Sequence, residues 1–260
     1  MLTLTILGTS AALPSNGRFN VAFVIQVRDT TFLIESGPNI LHQLQMAEID
    51  PCRVQYLFIS HIHGDHVLGF PLLILHRVFA PCDDPLIVIC PDVIIGDLKQ
   101  MVASVYPEIS SHLEKHCRFV PHPSTTRCSV DIDPGITVST IPVIHGVPTL
   151  ALRLDCSGKS IVYSADTAPS QNMHQFAAGS DILIHDANFS ATLDPIIELV
   201  DHSTARAAAE IARAAEAKTL ILIHLHKKYA GQEQLFYQEA ASIFSGRIIV
   251  PTHISTLVLT

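Results

Sequence analysis

The segment Ser60-His61-Ile62-His63-Gly64-Asp65-His66 places four metal-binding side chains within six positions. Imidazole nitrogens and carboxylate oxygens are good donors to zinc and similar divalent ions. The apolar run Val54–Ile59 precedes them and reads as a buried strand, so the donors begin where a strand ends. His61 and His63 are two apart and project to the same side of an extended chain. Gly64 lets the chain turn, so Asp65 and His66 point elsewhere and one segment can serve two metals. Three further apolar runs close on a residue of the same kind: Val138–Ile144 on His145, Ile161–Ala165 on Asp166, and Leu220–Ile223 on His224. Functional groups of α/β proteins gather at the carboxyl ends of strands. The joint pattern points to a metal centre assembled from distant parts of the chain.

Such a centre needs a rigid scaffold, and the rest of the sequence supplies one. Short β-branched runs from Leu2–Leu7 to Ile248–Thr252 read as strands, and helical patterns cover Asn39–Ala47, Gly96–Tyr106 and Thr204–Ala217. The last is rich in Ala, Glu and Arg, with Ser203 as its expected N-cap. Pro121–Pro134 reads as an ordered loop. Strands and helices mixed in this way, without a linker, low-complexity segment or short-period repeat, predict one layered α/β domain spanning residues 1–260.

Composition narrows the field further. The 260 residues are 48% hydrophobic and 15% charged, which describes a folded protein with a large core. No apolar run reaches the roughly 18–20 residues that span a bilayer, and the alternating Met1–Leu7 reads as a strand rather than a secretory signal. A cytoplasmic protein without a membrane partner is expected. With 16 Lys and Arg against 24 Asp and Glu, the net charge is −8, which disfavours broad adhesion to nucleic acid. The six cysteines, at 52, 82, 90, 117, 128 and 156, form no C-x-x-C pair and are expected as reduced thiols.

The motif His61-x-His63-x-Asp65-His66, followed by His145, Asp166 and His224, resembles that of the metallo-β-lactamase superfamily. Within it the chain is similar to the ribonuclease Z and phosphodiesterase branch. Leu7-Gly8-Thr9-Ser10-Ala11-Ala12-Leu13-Pro14 resembles that branch's first strand and loop. Ile59–Leu73, Asp201-His202-Ser203-Thr204-Ala205-Arg206 and Leu220–Tyr229 resemble three further segments. The resemblance implies an αββα sandwich, two facing mixed sheets with helices outside. It implies two divalent ions, zinc by default with manganese or iron also compatible. His61, His63 and His145 would hold one ion, Asp65, His66 and His224 the other, and Asp166 would bridge them. A histidine at position 63, where redox relatives carry a glutamate, favours hydrolysis.

A site of that kind stays locally positive inside an acidic protein, because ion charge dominates at contact distance. It would draw in a small anionic ester and lower the pKa of a bound water from 15.7 toward about 7. His202 is the candidate general acid for an alkoxide leaving group. By the resemblance its carboxylate partner lies in a His-Glu-Ala-Thr segment, which reads His185-Asp186-Ala187-Asn188 here. Asp186 would then orient His202 with a shorter side chain than the family's glutamate. His42, His185, His226 and His253 are expected in structural roles, and Tyr229 in a substrate contact or in packing.

Ribonuclease Z proper inserts a long transfer-RNA-gripping arm between the segments that hold His145 and Asp166. Only twenty residues separate them here, and these read as strand, turn and strand. The family's Asp-Cys-Gly-Glu segment becomes Glu35-Ser36-Gly37-Pro38. A phosphodiesterase acting on a small or cyclic substrate is therefore expected. Transfer-RNA 3′ processing and sulfate-ester hydrolysis are the alternatives. A homodimer is compatible with the apolar stretch Val67–Phe79.

Overall fold

A computed structural model describes residues 2–15, 17–82, 84–194 and 201–259. The chain packs as two compact units. Met1–Gly8, Phe19–Pro123 and His253–Thr260 form the first, Thr9–Arg18 and Ser124–Thr252 the second. Among the described residues no helix is long and apolar enough to cross a membrane.

The first unit is built on a seven-stranded mixed sheet. Its strands are β1 (Leu2–Gly8), β2 (Ala22–Val27), β3 (Thr30–Ile34), β4 (Tyr56–Phe58), β5 (Leu86–Pro91), β6 (Cys117–His122) and, from the far end of the chain, β14 (Ser255–Leu259). Their order is β14-β1-β2-β3-β4-β5-β6. Pairing is antiparallel from β14 to β3 and parallel from β3 to β6. The parallel half needs crossover connections. They are α1 (Ile40–Met46), α2 (Gly64–Val67), α3 (Phe70–Phe79), α4 (Ile95–Val105), α5 (Pro107–Ser110) and α6 (Leu113–His116). α3 buries Phe70, Leu73, Ile74 and Arg77, spaced i, i+3, i+4, i+7, so one helical stripe faces Leu57, Ile59 and Val88 in the core.

Arg77 is an unusual member of that stripe. Its guanidinium donates to the carbonyls of Pro51, Val54 and Asp84, which satisfies a charge that would otherwise be costly to bury. Close by, Cys52 and Cys82 form a disulfide, so the expectation of six reduced thiols fails for this pair. Thirty residues separate the two cysteines, and only the return of the chain along α3 brings them together. Cys90, Cys117, Cys128 and Cys156 form no disulfide; Cys128 is half-buried and the other three are buried.

The second unit repeats the same scheme. Its strands are β7 (Cys128–Asp133), β8 (Ile136–Pro142), β9 (Leu150–Cys156), β10 (Lys159–Tyr163), β11 (Ile182–Asp186), β12 (Thr219–Ile223) and β13 (Arg247–Ile249), paired in chain order. Pairing is antiparallel from β7 to β10 and parallel from β10 to β13. The crossovers are α7 (Gln171–Phe176), α8 (Ala205–Ala214) and α9 (Glu233–Ala241). α8 buries Ala205, Ala208, Ala209 and Ala212, whose small side chains let the helix lie close to the sheet. Two mixed sheets with helices confirm the α/β class.

Three local expectations need correction. Pro121–Pro134 is not one loop, because β6 ends at His122 and β7 occupies its second half. β7 is a mostly exposed edge strand with polar residues, so it carries little hydrophobic signal; the Ser129 and Ser139 hydroxyls, 2.8 Å apart, link it to β8. β14 was likewise unsuspected, since it becomes a strand only by pairing with β1. The N-cap of α8 is Thr204, not Ser203. Thr204 is extended and its Oγ1 accepts from Ala207 N, whereas Ser203 Oγ donates to the Thr167 carbonyl.

Asp181 ties the start of the parallel half together, accepting from Ser160 N at 2.8 Å and from Lys218 Nζ at 2.8 Å. Burial alone would raise its carboxyl, but these hydrogen bonds outweigh burial and hold it below the usual range. The folded protein then binds this proton less readily than the unfolded chain. Its contribution is complete above roughly pH 4, the ordinary carboxylate value, and is lost as pH falls through the lower folded value. Asp181→Asn is expected to cost about 1 kcal/mol at neutral pH and to flatten the acid side of the stability profile, read by urea unfolding between pH 7 and 3.

Candidate metal centre

In the first unit, β4 runs into the donor segment through buried Ile59 and Ser60. His61 Nε2 and His63 Nδ1 lie 3.0 Å apart, and the His61 and His66 rings are 4.2 Å centre to centre. His63 is extended and caps α2, the single helical turn that swings Asp65 and His66 away from the strand direction. His66 Nε2 lies 3.3 Å from Asp65 Oδ2. Ser60 Oγ sits 2.8 Å from His61 Nδ1. When that hydroxyl accepts the Nδ1 proton, the Nε2 lone pair is left for a cation.

Sequence reasoning gave no role to Glu35. It is fully buried at the end of β3, at φ +66°. Its Oε2 accepts from Ser60 N at 3.3 Å, and Oε1 lies 3.4 Å from His66 Nδ1. The signal was present, since β3 also closes on a carboxylate. Glu35 was read only as part of a segment that departs from its family. The loop after it grips the donor segment by backbone alone. Ser36 N donates to the His66 carbonyl at 2.8 Å, and Gly69 N donates to the Ser36 carbonyl at 2.9 Å. Gly37 and Gly69 allow that approach: a Cβ would stand 2.3 Å from the Asp65 carbonyl oxygen at the first and 2.1 Å from the Gly37 oxygen at the second.

In the second unit, three strands lead to donors at or just beyond their carboxyl ends. β12 ends directly before His224, while β8 and β10 stop three residues short of His145 and Asp166. Both expected strands were drawn slightly too long. Asp166 Oδ2 lies 3.2 Å from His224 Nε2 and 4.0 Å from His145 Nε2. Asp166, His202 and His224 offer ligand atoms within 4.8 Å of one another. Ala165 and His224 both adopt positive φ, at 54° and 61°. His224 is held there by its neighbours: Asn188 Nδ2 donates to its carbonyl, and Leu225 pairs with the Thr9–Ala11 loop. His145 Nδ1 lies 2.8 Å from the Asp201 carbonyl oxygen, an acceptor that would leave Nε2 as the donor.

His202 Nδ1 lies 2.9 Å from Asp186 Oδ2, so the shorter aspartate does span the distance. Asp186 is fully buried. Burial alone would raise its carboxyl, but hydrogen bonds from His202 and His224 outweigh it and keep it below the usual range. The amides of Thr167 and Ser203 also donate to Oδ2, each at 3.2 Å. The His202 ring stacks on His224 at 5.0 Å and meets His145 edge-on at 5.0 Å.

Three further histidines serve packing and caps. His185 is buried with Nδ1 2.8 Å from the Asp186 carbonyl, and burial pushes its pKa down. His226 Nδ1 accepts from Lys228 N, and His42 meets the Phe19 ring. Tyr229 is buried against Phe236.

Both donor sets consist of imidazole nitrogen and carboxylate oxygen only. In the first unit His61 Nε2 and His63 Nδ1 lie 3.0 Å apart, and in the second Asp166 Oδ2 lies 3.2 Å from His224 Nε2 and 4.0 Å from His145 Nε2. Such a set suits zinc, manganese or iron and lacks the thiolates of a closed structural zinc site. The residues fit divalent cations.

Comparison with known proteins agrees with this chemistry. Residues 2–235 match the family described as Anti-Pycsar protein Apyc1. Ribonuclease Z of Mycobacterium bovis is 30% identical over 269 residues, covering 96% of this chain and 95% of the relative. Ribonuclease Z of Methanothermobacter thermautotrophicus is 28% identical over 285 residues, covering 94% and 92%. The crystal structure of the metallo-β-lactamase fold protein YhfI from Bacillus subtilis matches with a TM-score of 0.84 at 21% identity, covering 98% of each chain. The chain therefore belongs to the Apyc1 and ribonuclease Z-like family, shares the metallo-β-lactamase fold, and is a metal-dependent hydrolase.

Proposed function

We propose that this enzyme hydrolyses small phosphodiesters, cyclic ones included, at a dinuclear centre. His61, His63 and His145 would hold one ion, Asp65, His66 and His224 the other, with Asp166 shared, and the two units would act as one catalytic domain. Zinc is the first candidate. When bound, the ions would activate water near neutral pH and offset the charge growing on the phosphoryl oxygens.

The observation that carries the reading is the His202–Asp186 pair beside Asp166 and His224. An alkoxide leaving from a phosphodiester needs a proton. With Nδ1 held by Asp186, His202 offers Nε2 as its donor. Asp186 fixes the ring and stabilises the imidazolium, while Thr167 N and Ser203 N hold Asp186 in place. Glu35 steadies His66 from behind. The connection between His145 and Asp166 is β9, a two-residue turn and β10, which leaves no room for an arm and favours a small substrate.

The relatives' name supports a second reading, cleavage of precursor transfer RNA, with recognition supplied by another surface or by a second copy of the chain. Leu68, Leu72 and Phe79 expose apolar surface around α3 and support a homodimer. A panel of bis(p-nitrophenyl) phosphate, cyclic nucleotides, an aryl sulfate and precursor transfer RNA, run on metal-loaded enzyme, separates the readings. Turnover of the small phosphodiesters is expected. Turnover confined to the RNA or to the sulfate would overturn the first reading.

His202→Ala should cut turnover of a cyclic nucleotide by about 10²–10⁴. It should hardly change bis(p-nitrophenyl) phosphate, whose leaving group needs no proton, or the metal content. Asp166→Ala should abolish both activities and lower metal content, measured by mass spectrometry of the desalted protein. Glu35→Gln keeps the volume but removes the charge behind His66, and should weaken metal retention by about 10–100-fold in chelator competition.

A further inference from the structure

We propose that Asp50, Cys52, His76 and Cys82 form a second metal site, closed by the Cys52–Cys82 disulfide and opened by its reduction. The proposal concerns the first unit alone and does not depend on the phosphodiesterase reading. Asp50, Cys52 and His76 offer ligand atoms within 4.8 Å of one another. Cys82 is bonded to Cys52, so its sulfur adjoins this group without belonging to it in the closed form. The four side chains make a Cys₂HisAsp set, a combination of thiolate, imidazole and carboxylate donors that suits tetrahedral zinc.

The backbone that presents them is fixed independently of the sulfur–sulfur bond. Asp50 caps the short 3-10 turn Pro51–Arg53, accepting from Cys52 N at 2.9 Å. His76 sits in the last turn of α3. Cys82 N donates to the Ala80 carbonyl at 2.8 Å in the turn that follows. The Arg77 guanidinium bonds the carbonyls of Pro51, Val54 and Asp84, so it ties down the chain on both sides of the disulfide. Opening the bond leaves these anchors in place. The sulfurs need only part from about 2.0 Å to about 3.8 Å, the separation set by Zn–S bonds of about 2.3 Å in a tetrahedron.

Access and charge also fit. Asp50 is exposed, and Cys52, His76 and Cys82 are half-buried. A cavity of about 420 Å³ reaches Asp50 and His76, and another of about 290 Å³ reaches Asp50, Cys52 and Arg77. Two thiolates, one carboxylate and a divalent ion sum to −1, which Arg77 offsets. In the oxidised form both sulfurs are neutral and weak donors, so only Asp50 and His76 remain, too few to retain an ion.

The chemistry closes by thiol–disulfide exchange. A dithiol reductant attacks one sulfur, the Cys52–Cys82 bond breaks, the dithiol is oxidised to its own disulfide, and its two protons pass to Cys52 and Cys82. Binding Zn²⁺ then releases both protons as the thiols become thiolates. The other cysteines of this unit do not compete: burial pushes the Cys90 and Cys117 thiols up to about 12, so they stay protonated.

Cobalt is the decisive probe, because a thiolate ligand gives a charge-transfer band that a His/Asp centre cannot. The full-length protein is titrated with Co²⁺ as purified, and again after anaerobic dithiol treatment and desalting. Reduction should expose two additional thiols, add one cobalt per chain and produce the band. Cys52→Ser and Cys82→Ser should each lose the band, and His76→Gln should weaken its affinity at least tenfold. All variants should keep the wild-type circular dichroism and the cobalt of the His/Asp centre. A reduced wild type without the band overturns the proposal, as does a band in the oxidised protein or one that survives in Cys52→Ser.

Discussion

Two buried carboxylates, Glu35 in the first unit and Asp186 in the second, are the costliest groups to bury beside the imidazoles of each unit. Each ends a strand, and each faces imidazoles from the donor sets: His66 in one unit, His202 and His224 in the other. A carboxylate taken out of water is costly unless it is hydrogen-bonded. Both are answered in part by backbone amides, from Ser60 for Glu35 and from Thr167 and Ser203 for Asp186. In the second unit the hydrogen bond to Asp186 fixes the orientation of the His202 ring. The proposed general acid would need preorganisation of that kind.

Keeping these groups in place costs backbone strain. Glu35, Ala165 and His224 all occupy the left-handed region, each at or beside a site residue. None is glycine, and such residues cost of order 1–3 kcal/mol each. The parallel sheets and the buried helical stripes of α3 and α8 supply the packing that offsets this. The two units are built alike, with an antiparallel run followed by parallel strands. β4 leads into His61, β11 into Asp186 and β12 into His224. The antiparallel β9–β10 connection keeps the His145–Asp166 interval short.

The division between what could be read and what could not follows interaction range. His61-x-His63-x-Asp65-His66 was legible because its donors are adjacent in sequence and follow an apolar strand. α8 was legible from its alanine-rich pattern, and the parallel strands other than β6 from their continuous β-branched runs. β7 and β14 were not, because an edge strand with polar residues carries no periodic signal and exists only by pairing. Glu35 escaped notice because a single carboxylate at a strand end is commonplace until its neighbour is known to be His66.

The sequence by itself determined the donor types, the α/β class, the family and the absence of a long insertion between His145 and Asp166, since all of these are local in the chain. Tertiary structure alone decided that Asp186 reaches His202, that Thr204 rather than Ser203 caps α8, and that Cys52 meets Cys82 beneath Arg77. The physical reason is common to all three. A hydrogen bond or disulfide depends on a few tenths of an ångström between side chains, and only the packing of sheets and helices fixes distances that finely.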